Sequence, residues 1–255
     1  MLLRERLVKI GHFFFRYRSW QPLPMLLVLF AEREHFTRIS ENLGYEFFCV
    51  FVSFLGILVR ALTVSFVHDG TSGRNRKEQK ATELNTTGAY SIVRNPLYLA
   101  NYLILLGISL LTQNPEIALL NTILFAVVYL PIILTEEAFL LDKFGETYRA
   151  YASRVNCVIP SFNRYEKNRL KFSLSMLLKR EHDTLFSTML SLLLIELLRE
   201  YGRLGTLKLE TTWIAFASAV GVTWVTLKYL KKTGKLVARR EEGYREALES
   251  ASPGL

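Results

Sequence analysis

LGYEFFCVFVSFLGILVRALTVSFV, residues 43–67, is a run of apolar side chains in which Glu46 and Arg60 are the only charged residues. The hydrocarbon core of a bilayer is about 30 Å thick, and a helix needs about 20 residues to cross it. The run therefore predicts a membrane-spanning helix. We expect its two charged side chains, each near an end of the run, to snorkel toward the lipid headgroups.

Apolar blocks of this kind recur along the chain. They are residues 22–31, 97–112, 117–135, 184–198 and 211–230. The second and third are separated only by residues 113–116, which predicts a helical hairpin within the membrane. The last block is long enough to span, whereas the first and fourth fit either a span or an interfacial segment. The expected fold is all-α, a polytopic membrane bundle of about five or six transmembrane helices.

Basic segments alternate with these blocks and predict the topology. Short cytoplasmic loops are enriched in Lys and Arg. The basic segments are the N-terminus, residues 68–94, the stretch between Thr135 and Arg180, and the tail from Lys231. Six passes place all four on one side, so both termini are expected in the cytoplasm. This pattern accounts for the net charge of +9 without a nucleic-acid partner, and none is expected.

The sequence does not predict a metal site. Of its two cysteines, Cys49 lies inside an apolar block and Cys157 lies in a predicted cytoplasmic segment, so neither a disulfide scaffold nor a cysteine-based metal site is indicated. The four histidines have no metal-ligand spacing. They are His12, His35, His68 and His182.

A polar stretch before the second strong span passes into a helix at Asn95 and Pro96. Proline is favourable in a first helical turn, where free backbone N–H groups can meet an anion. Tyr98 and Tyr102 are four residues apart and share a helix face, and Arg94 lies one turn before Tyr98. Taken alone, this arrangement is typical of an interfacial anchor.

Two adjacent carboxylates, Glu136 and Glu137, follow the next span. Paired acids at the end of a membrane helix are unfavourable without a partner. After them, large apolar and aromatic residues recur at helical spacing with a break at Gly145, which predicts an amphipathic cytoplasmic cap. The recurring residues are Phe139, Leu140, Phe144, Tyr148 and Tyr151.

Two motifs carry a family resemblance in their order and spacing. GAYSIVRNPLYLA, residues 88–100, is similar to GxYxxxRHPxYxG, and residues 136–151 are similar to EExxLxxxFGxxYxxY, which Pro160 follows. Together they resemble the isoprenylcysteine carboxyl methyltransferase and phospholipid methyltransferase superfamily over residues 43–160. Asn95 stands where the family has His, and Ala100 stands where it usually has Gly. Asparagine donates and accepts hydrogen bonds but does not titrate near neutral pH.

The resemblance implies a methyltransferase that uses S-adenosylmethionine and acts on a membrane lipid or lipid-linked acceptor. It gives catalytic roles to Arg94 and Asn95, with Arg94 binding a carboxylate or an anionic acceptor. Glu136 or Glu137 would hold cofactor hydroxyl or amino groups. The implied cofactor-binding residues are Gly88, Tyr90, Arg94, Asn95, Pro96, Tyr98, Leu99, Glu136, Glu137, Tyr148 and Tyr151.

The acceptor is not fixed by the family. Residues 71–91 resemble a bacterial subgroup that methylates the 1-phosphate of lipid A, which implies O-methyl transfer at the cytoplasmic face of the inner membrane. Arg74 and Arg76 would bind the phosphate, whose oxygen is already anionic and needs no general base. The alternative acceptors are a phospholipid amine and a prenylcysteine carboxylate. The second is less favoured because Leu134 and Thr135 stand where such enzymes resemble one another in having an arginine.

Two other protein classes remain open from the sequence. One is a sterol-reductase-like enzyme with a nicotinamide cofactor, and the other is an inactive homologue, suggested by Asn95 and Ala100. The expected organisation is an N-terminal membrane-associated helix and loop (1–42), a methyltransferase core (43–160), and C-terminal membrane helices with a charged tail (161–255). The oligomeric state is left open.

Overall fold

A computed structural model describes residues 2–17, 42–67, 81–168, 170–205 and 211–234. All regular secondary structure in these ranges is helical, which confirms the predicted all-α class. The helices are α1 (Leu2–Tyr17), α2 (Leu43–Ser65), α3 (Ala89–Ile92), α4 (Pro96–Leu110), α5 (Pro115–Ala152), α6 (Leu174–Leu204) and α7 (Thr211–Lys232). The predicted apolar block at 22–31 lies outside the described residues.

Three of the described helices are long and apolar enough to cross a membrane, within Gly44–Ser65, Pro115–Ala152 and Trp213–Lys232. Helix α4 is apolar but has only 15 residues. Large apolar side chains on the outside of α2, such as Phe47 and Phe51, are exposed. Such side chains suit contact with lipid, and the chain is that of a helical membrane protein.

Helices α2 and α4 pack closely through small residues. A side chain at Gly56 would meet the carbonyl oxygen of Ala100 at 2.6 Å, and the Ser53 hydroxyl donates to the carbonyl of Ile104 at 3.2 Å. Small residues let membrane helices approach in this way. Ala100, the second departure from the family pattern, is fully buried, and its carbonyl oxygen faces Gly56 of α2.

The predicted hairpin between α4 and α5 is confirmed. Gln113 has a φ of 53°, and the Asn114 side chain accepts hydrogen bonds from the amides of Glu116 and Ile117 before Pro115 opens α5. Asparagine as N-cap and proline in the first turn favour a helix start.

Helix α5 extends past the end expected from the apolar block at Thr135. It continues through Glu136 and Glu137 to Gly145, whose φ of 51° and ψ of −123° break the helix before it resumes to Ala152. No glycine or proline lies between residues 136 and 144, so nothing stops the helix earlier. The two acids therefore lie within a continuous helix, and the expected cap is largely a continuation of α5.

The expectation that Glu46 and Arg60 snorkel is wrong. Arg60 forms two hydrogen bonds to the carboxylate of Glu181 on α6, of 2.6 and 2.9 Å. Glu46 pairs with Arg199, also on α6, at 2.5 Å. The counter-charges come from a distant helix, which removes the need to reach the headgroups.

The two ion pairs show which helix ends lie together in the bundle. Because residue 60 pairs with 181 and residue 46 with 199, α2 and α6 are antiparallel. Helix α4 is also antiparallel to α2, since the Tyr45 hydroxyl donates to the carbonyl of Leu110. The end of α2 and the starts of α4 and α6 therefore lie together, and we call this the site end.

The outer helices are fixed by their own contacts. Helix α1 packs on α5, where the Thr135 hydroxyl donates to the carbonyl of Val8 at 3.0 Å and Phe15 packs with Tyr129 and Ile132. Helix α7 contacts α6 through Trp224, whose indole N–H donates to Asp183 at 3.1 Å.

Candidate functional site

The candidate site begins at the first turn of α4. Asn95 is the N-cap, with non-helical backbone angles of φ −120° and ψ 58°, and Pro96 follows it. The carbonyl of Asn95 accepts hydrogen bonds from the amides of Tyr98 and Leu99, at 3.2 and 3.1 Å. This capping leaves the Asn95 side chain for contacts outside the helix.

Arg94 joins the start of α4 to the end of α5. Its Nε donates to Glu137 Oε1 at 2.8 Å, and its Nη1 donates to the carbonyls of Ala152 and Val155 at 2.8 and 2.7 Å. Its Nη2 has no hydrogen-bond acceptor among the described residues. Burial alone would lower the pKa of Arg94, but the hydrogen bond and charge of Glu137 raise it. The guanidinium is therefore a permanent cation with one nitrogen available to an anion.

Asn95 and Cys157 both contact the same carboxylate. Asn95 Nδ2 donates to the carbonyl of Cys157 at 3.1 Å and lies 3.5 Å from Glu137 Oε1. The Cys157 thiol donates to Glu137 Oε1 at 3.4 Å. Burial, followed by the charge of Glu137, raises the pKa of Cys157. Glu137 Oε1 is thus surrounded by three donors, from Arg94, Asn95 and Cys157.

The second carboxylate, Glu136, is approached from α4. The Tyr98 hydroxyl donates to Glu136 Oε1 at 2.7 Å. The Tyr98 ring lies 5.1 Å from that of Tyr129, which stacks on Phe125 at 4.1 Å. An aromatic row therefore leads from Phe125 on α5 through Tyr129 and Tyr98 to the carboxylate.

The other predicted site residues are held by packing and backbone contacts. The Tyr151 hydroxyl donates to the carbonyl of Tyr90 at 2.8 Å, and Tyr148 is buried beside the Tyr151 ring. Gly88 has a φ of 63°, and its amide donates to the carbonyl of Glu166. A side chain there would collide with Asn168, so glycine is required.

The structure brings most of the predicted residues together at the site end. The resemblance assigns the Arg94–Tyr98 turn, Glu136 and Glu137 to one cofactor pocket, and Arg94 contacts Glu137 while Tyr98 contacts Glu136. Arg74 and Arg76 lie outside the described residues. Cys157 was missed by sequence reasoning, because nothing local to it indicates a contact with a residue 62 positions earlier in the chain. Within the described ranges, no group of three or more His, Cys, Asp or Glu residues could hold a metal ion.

Fold and site together define a helical membrane protein with a half-buried, charged cluster at one end of its bundle. Residues 45–147 match the family described as phospholipid methyltransferase. Together with the similarity to a prenylcysteine methyltransferase, this match confirms the predicted resemblance to the isoprenylcysteine and phospholipid methyltransferase superfamily over these residues.

Three curated relatives match part of the chain. The nickel-cobalt-cadmium resistance protein NccN of Alcaligenes xylosoxydans is 33% identical over 34% of this chain and 40% of its own length. The cobalt-zinc-cadmium resistance protein CzcN of Cupriavidus metallidurans is 34% identical over 34% and 40%. The protein-S-isoprenylcysteine O-methyltransferase of Schizosaccharomyces pombe is 34% identical over 38% and 39%. The chain thus spans about two-fifths of each relative. No solved structure matches significantly.

Proposed function

We propose that the chain is a methyltransferase that uses S-adenosylmethionine and acts on a membrane lipid or lipid-linked acceptor. The observation that carries this proposal is the Arg94–Glu137 pair at 2.8 Å, with Glu136 and Asn95 beside it. The pair lies at the end of membrane helices, and Arg94, Glu136 and Glu137 all fall in the segment that matches the phospholipid methyltransferase family.

The residues present fit the cofactor's chemistry. Arg94 Nη2 suits the carboxylate of its amino-acid part. Glu136 and Glu137 are acceptors suited to its amino and hydroxyl groups. The Tyr98 and Tyr129 rings suit an aromatic or cationic group. When bound, S-adenosylmethionine supplies an electrophilic methyl group on a sulfonium.

The protein's own contribution is positioning. Arg94 joins the start of α4 to the end of α5 through three hydrogen bonds, so both sides of the site are held in one geometry. Fixed orientation of reacting groups lowers the barrier to displacement at carbon. Asn95 is only 9% exposed, which keeps water from this part of the cluster and strengthens its electrostatic contacts.

For the acceptor, we propose a lipid phosphate, with the 1-phosphate of lipid A as the specific candidate. A phosphate oxygen is already anionic, and the cluster needs no general base to activate it. Arg74 and Arg76 are proposed to bind the phosphate, and the site end is proposed to face the cytoplasm at a bacterial inner membrane. A prenylcysteine carboxylate is a second candidate, favoured by the match to the fission-yeast enzyme of that name.

The experiment is calorimetric binding of S-adenosylhomocysteine to the detergent-purified chain. Glu136→Gln removes a charge but keeps the shape, and we expect affinity to fall about tenfold or more, as for a lost charge-assisted hydrogen bond. The matched control is Glu146→Gln, because Glu146 lies further along α5 with an exposed side chain. Tighter binding by Asn95→His would identify Asn95 as a diverged but functional replacement.

The other outcomes separate the remaining classes. Binding of a nicotinamide nucleotide in place of S-adenosylhomocysteine would replace the proposal with a reductase. A folded protein that binds neither would be an inactive homologue. If S-adenosylhomocysteine binds, transfer of labelled methyl to lipid A, phosphatidylethanolamine or a prenylcysteine identifies the acceptor.

A further inference from the structure

The segment between α5 and α6, residues 153–172, has an unusual surface, and we call it the interface loop. It exposes large apolar side chains, and its described residues, 153–168 and 170–172, form no helix. Ile159 is 74% exposed and Phe162 is 71% exposed, and Tyr165 and Phe172 are each more than half exposed. Clustered apolar side chains at a surface indicate a contact with another apolar phase or partner.

The interface loop is held in place by its backbone. The carbonyl of Asn156 accepts the amide of Arg94 at 2.8 Å, and the amide of Ser161 donates to the carbonyl of Ile92 at 2.9 Å. The amide of Glu166 donates to the Ser91 hydroxyl at 2.9 Å. These three contacts fix the loop backbone against residues 91–94, while the side chains of Ile159 and Phe162 stay exposed.

The position of the loop is at the site end of the bundle. Directly after it, the amide of Ser173 donates to the carbonyl of Ser65 at 3.1 Å, and Ser65 is the last residue of the spanning helix α2. The Phe172 ring contacts that of Phe66, with centroids 5.8 Å apart. The loop therefore lies at the end of a helix that is long and apolar enough to span a membrane.

The charge of the loop is strongly positive. Residues 153–172 contain five Lys or Arg residues and one acid, Glu166. Of the cations, Arg154, Arg164, Lys167 and Lys171 are described and exposed. Apolar side chains interleaved with cations are the composition of segments that lie in the interface of an anionic membrane.

We infer that the interface loop inserts Ile159 and Phe162 into the lipid layer of the membrane that the chain spans, and that its cations select anionic headgroups there. The partner that covers these exposed side chains is the lipid surface itself. This inference does not depend on the proposed activity. It adds that the backbone from Ile92 to Arg94, which leads into the candidate site, is hydrogen-bonded to a segment seated in the headgroup layer.

The test places an environment-sensitive NBD fluorophore on Phe162→Cys in a Cys157→Ser background, where the remaining Cys49 is buried. The protein is reconstituted into phosphatidylcholine vesicles with and without phosphatidylglycerol. We expect blue-shifted emission and quenching by shallow doxyl lipids, stronger with phosphatidylglycerol. The reference is Glu146→Cys, which we expect to be quenched by aqueous iodide.

A second variant tests the charges. Replacing Arg164, Lys167 and Lys171 by Gln should remove the effect of phosphatidylglycerol on quenching. Iodide quenching of the label at position 162 without doxyl quenching would overturn the inference. Doxyl quenching that is the same with and without phosphatidylglycerol would overturn the selection of anionic lipid.

A photo-crosslinking residue at position 162 of the otherwise unaltered chain gives an independent readout. It avoids the Cys157 substitution at the candidate site. Crosslinks to lipid support the inference, whereas crosslinks to protein in their place overturn it.

Discussion

Arg60 on α2 and Glu181 on α6 form a two-point ion pair, with Nε–Oε2 and Nη2–Oε1 distances of 2.6 and 2.9 Å. Their side chains are 12% and 8% exposed. The third nitrogen of Arg60 donates to Asn101 on α4 at 2.5 Å, and Asn101 donates to the hydroxyl of Tyr129 on α5 at 3.4 Å. One polar network thus links four helices inside the bundle.

Removal of Arg60 from this network should strongly destabilise the fold. Arg60→Met leaves the Glu181 carboxylate buried without its partner, which costs about 3–5 kcal/mol. Thermal unfolding in detergent measures the effect. Arg149→Ala is the control, because it breaks an exposed pair with Glu146 and should change stability by less than about 1 kcal/mol. Equal unfolding midpoints for the two variants would contradict the assigned role.

Close packing of α2 on α4 gives a second prediction. Gly56→Val forces a side chain against the backbone of Ala100 and should destabilise by about 1–3 kcal/mol through overpacking. Gly221→Val on α7 is the matched control, because no atom lies within 4 Å of its added side chain. Thermal unfolding of the two variants in the same detergent measures the difference. If Gly221→Val is as destabilising as Gly56→Val, the effect comes from valine in a helix and not from packing.

Sequence reasoning found the parts of the fold that are encoded locally. Length and apolarity were sufficient for α2, and Asn114 and Pro115 marked the hairpin. The partners of Glu46 and Arg60 could not be found in the same way, because Arg199 and Glu181 are 153 and 121 residues away. Local periodicity carries no information about which distant helix supplies a counter-charge.

In the candidate site too, the sequence motifs predicted some features, whereas contacts between distant residues could not be predicted. The family motifs assigned Arg94, Glu136 and Glu137 to one cofactor site, and Arg94 contacts Glu137 at 2.8 Å. The motifs did not indicate that Arg94 also holds the carbonyls of Ala152 and Val155. These contacts depend on where the chain turns after Gly145, which is a property of the folded backbone.

The Cys157 thiol should react slowly with maleimide near pH 8. Only the thiolate is nucleophilic, and burial and Glu137 raise the thiol pKa above its usual range. The thiolate fraction in the folded protein is therefore below that of a free cysteine, and the reaction rate should keep rising with pH after that of a model thiol has levelled off. The rate is measured in a Cys49→Ser background, with denatured protein as the reference.

Glu137→Gln tests the cause of this shift. It removes the adjacent negative charge, so the pKa of Cys157 should fall and the thiolate fraction at a given pH should rise. The reaction should therefore accelerate, by less than the rise in thiolate because a less basic thiolate is a weaker nucleophile. Glu146→Gln, which alters an exposed side chain paired with Arg149, should leave the rate unchanged. Identical rates in all three proteins would show that Glu137 does not control the thiol.

Asn95→Asp should make stability depend on pH, because it replaces a donor with an acid of the same shape. The Asn95 amide donates to the carbonyl of Cys157 at 3.1 Å and lies 3.5 Å from Glu137 Oε1. An ionised carboxylate there repels both oxygens, so burial and like charge raise the pKa of the new carboxyl above its unfolded value of about 3.9. The protonated form can again donate. The stabilisation that the protonated side chain provides is therefore present at low pH and is lost as pH rises through the raised folded pKa.

Relative to wild type, the unfolding midpoint of Asn95→Asp should be lowest near pH 8 and recover as pH falls toward 5. A deficit that does not change over this range would mean that the carboxylate escapes to solvent and that Asn95 does not donate into the cluster.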